Sequence, residues 1–162
     1  PRPPSTTPVT PRRQRQMCIR DRVSFDEKFT HRYAKIARAM IDGDEPAVRR
    51  LAEQMGYIYP DNSEEYVERI LNLIRLASEP VIQGGIYDFR ASTVFTRGRE
   101  AGLEMFFEDM SEYRAPPPET MFLHRKLVGC FMLCARIGAR VDVQELISSF
   151  LPTSAAENTI SE

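Results

Sequence analysis

From Phe25 to Phe150 apolar residues recur three and four positions apart, in runs cut by glycine, proline and small polar residues. That spacing belongs to one face of a helix, and no pair of segments shows the strict alternation of half-buried strands. An all-α fold of about six helices is therefore the expectation. Phe29, Tyr33, Ile36, Ala37, Met40 and Ile41 form the first apolar face, with Ser24-Phe25-Asp26-Glu27 as its capping box and Gly43 as its stop. Asp44 is placed to cap a second helix that tolerates Pro46 in its first turn and buries Val48, Leu51, Ala52 and Met55 before Gly56. The short connection makes these two an αα-hairpin.

Tyr57-Ile58-Tyr59-Pro60 reads as a loop with apolar anchors. Asn62 or Ser63 caps a third helix, and Glu64 and Glu65 suit the positive end of its dipole. Tyr66, Val67, Ile70, Leu71, Leu73 and Ile74 cover more than one face, which predicts a central position. Residues 80–90 form a connector with two glycines, and a helix is expected from about Ala91 to Met110 with Leu103, Phe106, Phe107 and Met110 as its apolar stripe. The prolines at 116–118 force a stiff extended link. In the helix that follows, Phe122, Leu123, Leu127, Cys130, Phe131, Cys134 and Ile137 fit a core face, and Gly138 ends it. Asp142-Val143-Gln144-Glu145 is a second capping box, opening a short last helix through Leu146, Ile147 and Phe150 that Pro152 stops.

Charge divides the chain. The net charge of −1 points to neither nucleic acid nor membrane. Residues 1–22, however, hold six arginines against the single acid Asp21, which leaves the remainder with 16 basic and 22 acidic residues, a net of −6. The arm has no aliphatic period and is proline-rich, so it is expected to be disordered. Within it MCIRDR, Met17 to Arg22, resembles a translation of a transposase adapter used in sequencing libraries. Residues 1–22 are accordingly expected to be chimeric and are set aside from fold reasoning. The expected organisation is this arm, a helical body over 23–151 and a polar tail over 152–162.

Three cysteines make no disulfide framework, which favours a reducing compartment. No run of about 18 apolar residues suggests a membrane span, and the start lacks the apolar region of a signal peptide. The expected setting is cytoplasmic, with any membrane association arising through a larger parent protein.

The residues that could carry chemistry are few. Cys130 and Cys134, one helical turn apart, read as two small buried hydrophobes, because a metal site needs about four ligands and no others have compatible spacing. Ile19-Arg20-Asp21 mimics a kinase catalytic loop, but the position that needs asparagine is Asp26. Asp88-Phe89-Arg90 resembles a metal-binding Asp-Phe-Gly with the wrong third residue, and a packing role is expected. His124, Arg125 and Lys126 are the one candidate set: they suit contact with a phosphate or an acidic partner, or else form the polar stripe of a helix whose other side is core. No catalytic, cofactor-binding or metal residue is assigned.

PPPETMFLHRKLVGCFMLCARIGARVDVQELI and FDEKFTHRYAKIARAMIDGDEPAVRRLAEQMGYI together resemble the AarF/UbiB atypical kinase-like family, in the branch with mitochondrial coenzyme Q assembly proteins. The likeness runs from Val23 to about Phe150. It implies the C-terminal helical subdomain of a protein-kinase-like fold whose parent uses ATP and magnesium and supports ubiquinone biosynthesis. The family's nucleotide lysine, catalytic Asp and Asn and Asp-Phe-Gly would lie upstream of the matched region, so this chain alone is expected to be inactive and to hold no cofactor. The partners so implied are the N-terminal part of the kinase-like domain, other ubiquinone-biosynthesis proteins or membrane lipid, and no nucleic acid. The rival is a free-standing helical interaction module whose basic arm contacts nucleic acid, with salt-sensitive binding.

Overall fold

A computed structural model describes residues 25–108 and 112–153, apart from the side chains of Phe106 and Glu108. The basic arm, Ser24, Met110 and residues 154–162 of the tail lie outside the described residues. Seven helices and one two-stranded sheet are described, and the fold is all-α as the periodicity predicts.

The first helix, α1 (Glu27–Asp42), buries Ile36, Ala39 and Met40, with Phe29 and Tyr33 at the margin of the same core. Ala39 rather than Ala37 is the fully buried alanine. The expected capping box is not what starts α1: Asp26 is the N-cap and its side chain makes no cap bond. The Asp26 carbonyl instead accepts from both the backbone N–H and the hydroxyl of Thr30, each at 3.0 Å. Gly43 ends α1 at a φ of 69°, a left-handed turn that a Cβ would strain. The chain then turns at once into α2 (Glu45–Gln54), where Asp44 Oδ1 accepts the Ala47 N–H at 3.0 Å and Pro46 sits in the first turn. Ala47, Val48, Leu51 and Ala52 meet the buried face of α1, and Met55 and Ile58 close the hairpin's core.

Ser63 begins α3 (Glu64–Ala77), its Oγ accepting from the Tyr66 N–H at 3.2 Å. Asn62 plays a different part: its Oδ1 accepts from the Tyr59 N–H at 2.8 Å and tightens the preceding loop. Val67 and Leu71 join the hairpin core, while other residues of α3 face a later helix, so α3 is central as its broad apolar coverage predicts.

Beyond α3 the chain departs from expectation. The connector at 80–90 contains a short helix, α4 (Glu79–Ile82), and a strand, β1 (Ile86–Asp88). β1 pairs antiparallel with β2 (Arg140–Asp142) in the register Ile86↔Asp142, Tyr87↔Val141 and Asp88↔Arg140. Three residues per strand are too few for a period of two to show in sequence. The next helix, α5 (Val94–Glu108), packs on α3, and among its described side chains Val94 and Met105 are the buried ones. Gly98 lies between them, close enough to Leu76 that an added Cβ would touch its methyl at 3.8 Å. Leu103 and Phe107, expected inside, are exposed, and this corrects the stripe.

The last long helix, α6 (Pro118–Ile137), ends at Gly138, whose φ is 67°. After β2, Asp142 Oδ1 accepts the Glu145 N–H at 2.9 Å and starts α7 (Val143–Ser148), which rests on α4. The expected core face of α6 is not buried. Thr120 is its one fully buried residue; Phe122, Leu127, Cys130 and Ile137 are exposed, and Leu123, Phe131 and Cys134 are half-buried. Helical spacing says which residues are neighbours on a helix, but it does not supply a partner to cover them.

Candidate functional site

The His124-Arg125-Lys126 triplet lies in the first half of α6, and the helix sends its members in different directions because successive side chains are about 100° apart. His124 turns toward the α1–α2 hairpin. Its ring stacks on Tyr57, centroids 6.0 Å apart and planes within 10°, and meets Tyr33 edge-on at 6.1 Å. The Tyr57 hydroxyl lies 3.3 Å from His124 Nε2. With Nε2 unprotonated, that hydroxyl donates to it.

This is an aromatic joint with one polar link. Enclosure by the two rings disfavours the charged imidazolium and lowers the pKa of His124, even though the outer edge of the residue reaches solvent. The same burial raises both phenols. Tyr33 rises well above the usual tyrosine range, burial being the main cause and the neighbouring Tyr57 adding to it. Tyr57 is raised as well, with burial as the main cause. His124 is therefore neutral near pH 7 and serves as an acceptor and a packing ring. Arg125 and Lys126 are exposed, as is Arg136 two turns and more along the helix. Against these three cations α6 carries one acid, Glu119.

A second joint holds the C-terminal half of α6. Phe131 meets Phe89 edge-on at 5.2 Å, and Phe89 meets Tyr87 at 4.9 Å. The Tyr87 hydroxyl donates to Glu79 Oε1 at 2.9 Å, and Glu79 also pairs with Arg97 at 2.9 Å. This disposes of the Asp-Phe-Gly likeness. Asp88 Oδ1 accepts the backbone N–H groups of Arg90 and Ala91 at 3.0 and 3.2 Å, its Oδ2 faces Arg140 at 3.6 Å, and Phe89 is buried. The carboxylate is used in holding its own turn.

A third contact fixes the segment leading into α6. Glu112 accepts from the Ser63 N–H at 2.7 Å and from the Ser63 hydroxyl at 2.8 Å, so the residue that caps α3 also ties down the strap. Those two bonds hold the Glu112 carboxyl below its ordinary pKa. Arg114 pairs with Asp61 and lies 4.5 Å above the Tyr59 ring. Tyr33, Tyr57, Glu112 and Arg114 carry no sequence signal for these roles, since each partner lies tens of residues away or on another helix.

Cys130 is exposed and Cys134 half-buried, contrary to the expected pair of buried thiols. Among the described residues no three His, Cys, Asp or Glu side chains converge as metal ligands. No described helix is long and apolar enough to cross a membrane.

No family model matches the chain. Relatives do. Over 131 residues, 80% of this chain, it is 31% identical to the mitochondrial atypical kinase COQ8 of Schizosaccharomyces pombe. Over 123 residues, 76% of the chain, it is 30% identical to the mitochondrial atypical kinase COQ8B of Rattus norvegicus. The helical body belongs to the AarF/UbiB atypical kinase-like family. A further member, the mitochondrial atypical kinase COQ8 of Saccharomyces cerevisiae, is 32% identical over 127 residues, 75% of the chain. The matches cover 21, 23 and 24% of these three proteins, so the chain spans about a fifth to a quarter of the length of the curated relatives it matches.

Proposed function

We propose that this chain is the C-terminal helical section of the catalytic lobe of a COQ8-type atypical kinase that supports ubiquinone biosynthesis in mitochondria. The observation that carries the reading is the family likeness over three quarters or more of the chain, together with the small share of each relative that it spans. In this reading ATP and magnesium are handled by the other part of the family's kinase domain, and these helices give that part a rigid base. The α1–α2–α3 core supplies the rigidity, and the His124 and Phe131 joints set the position of α6. The expected direct partner is the N-terminal part of the kinase domain, and other ubiquinone-biosynthesis proteins meet the assembled enzyme. Arg125 and Lys126 are the members of the triplet that remain on the surface for an acidic or phosphate-bearing contact.

The test is a graft. Residues 25–153 replace the matched region of the fission-yeast kinase, and ubiquinone content is measured in cells lacking their own copy. Recovery of ubiquinone is expected. A graft that is expressed and folded yet leaves ubiquinone at the level of the deletion overturns the reading.

A further inference from the structure

α6 is built to be inside a protein, and the other described residues do not enclose it. A helix that is apolar over most of its circumference is normally buried on most sides. On α6, Met121, Val128 and Met132 make one outward stripe at i, i+7 and i+11, and Phe122, Leu133 and Ile137 make a second beside it. Leu133 is 60% and Ile137 67% exposed. The inward side is held at two joints, His124 on Tyr33 and Tyr57, and Phe131 on Phe89, and among the described residues no other helix packs along its length. Exposed apolar surface of this extent marks a contact site.

Three kinds of occupant outside this chain are possible in principle, and the residues discriminate between them. A membrane surface takes a helix whose apolar and charged faces are segregated. Here Arg125 and Arg136 lie between the two apolar stripes, so neither a single apolar face nor a single basic face exists. A second copy of this chain would bring the same three cations against its twin. The remaining occupant is the rest of a family polypeptide. The relatives carry roughly three quarters or more of their length outside the matched region, ample to cover a helix about 30 Å long.

We infer that the outward face of α6 is a docking surface for the preceding part of the family's kinase domain, which meets Met121, Val128, Met132, Leu133 and Ile137 with apolar side chains and Arg125 and Arg136 with carboxylates. This rests on the family reading above and adds to it the face through which the two parts join. The arginines then act as rim contacts that fix register, and the stripes supply the buried area.

Cys130 provides the readout, because it is exposed on the same outward side, one turn from Leu133. Its alkylation by a maleimide is followed by mass spectrometry of its peptide, in the isolated chain and in the fission-yeast graft. Fast labelling is expected in the isolated chain and labelling at least about tenfold slower in the graft. L133E is expected to leave the isolated chain's unfolding midpoint unchanged and to restore fast labelling in the graft. Equal rates in chain and graft overturn the inference, and so does unfolding of the isolated chain by L133E. A cysteine placed at the position aligned with Leu133 in the intact fission-yeast kinase gives a check free of the graft: slow labelling supports the docking face and fast labelling overturns it. Protection of Cys130 in the isolated chain that rises with its concentration assigns the face to a second copy. Protection on adding vesicles with anionic phospholipid assigns it to a membrane. Either result overturns the inference. A graft that restores ubiquinone while Cys130 stays reactive refutes the docking face alone, and one that protects Cys130 without restoring ubiquinone refutes the function alone.

Discussion

Leu71 and Leu133 are the same residue type on helices of similar propensity, and the fold predicts opposite consequences for truncating them. Leu71 on α3 is buried against the α1–α2 hairpin, where Ile36, Val48, Leu51 and Met55 share its cluster. Leu71→Ala removes three carbons' worth of apolar burial, about 2.4 kcal/mol at roughly 0.8 kcal/mol per methylene, and leaves a cavity that raises the cost to about 3 kcal/mol. For a body of this size that lowers Tm by roughly 12 °C. Leu133→Ala on α6 removes side-chain surface already in water and shifts stability by no more than about 0.5 kcal/mol. Urea titrations of the 162-residue chain followed by circular dichroism give both numbers, with an unchanged m-value certifying that the midpoint shift is a stability change. Equal losses for the two variants would refute the division into a packed hairpin core and an uncovered α6.

Three other outcomes follow from named contacts. Asp44→Ala removes the acceptor for the Ala47 N–H and is expected to cost about 1 kcal/mol by the same titration, with Asp44→Asn recovering most of it. Gly138→Ala places a Cβ at a φ of 67°, 3.0 Å from the Arg90 guanidinium, and is expected to destabilise by about 1 kcal/mol or more in thermal unfolding. His124 has its folded-state pKa lowered by burial, so the unfolded chain binds its proton first. The His124 contribution is then complete above about pH 6.5 and is lost as pH falls from there through the lower folded value. Unfolding midpoints measured between pH 7.5 and 5 should decline, and His124→Phe should flatten that decline.

Much of the hairpin was legible because its signals are local. Asp44, Pro46 and Gly43 each act within four residues of themselves, and they form the cap, first turn and stop that their types predict. Asp142 is legible for the same reason. The strands were not, since Ile86–Asp88 pairs with residues more than fifty positions away and each strand is a single alternation long. In α5 and α6 the apolar stripe and the buried face do not coincide. Periodicity says which residues share a face. Whether Leu103, Phe122 or Ile137 is covered depends on what stands opposite, and for α6 nothing among the described residues does so along its length. The His124 joint failed differently. A charged triplet in sequence looks like a patch, but on a helix its first member points into the Tyr33–Tyr57 pair and the next two leave it.

In the proposed reading the exposure of α6 and the family likeness express one relation, part of a larger domain exposing the surface that the remainder covers, and stability and nucleotide chemistry are assigned to different parts of the polypeptide. Titration of ATP with magnesium into the isolated chain and into the fission-yeast graft, side by side in a calorimeter, measures that division. No binding by the 162-residue chain and saturable, magnesium-dependent binding by the graft is the predicted result. Magnesium-dependent ATP binding by the chain alone would contradict it.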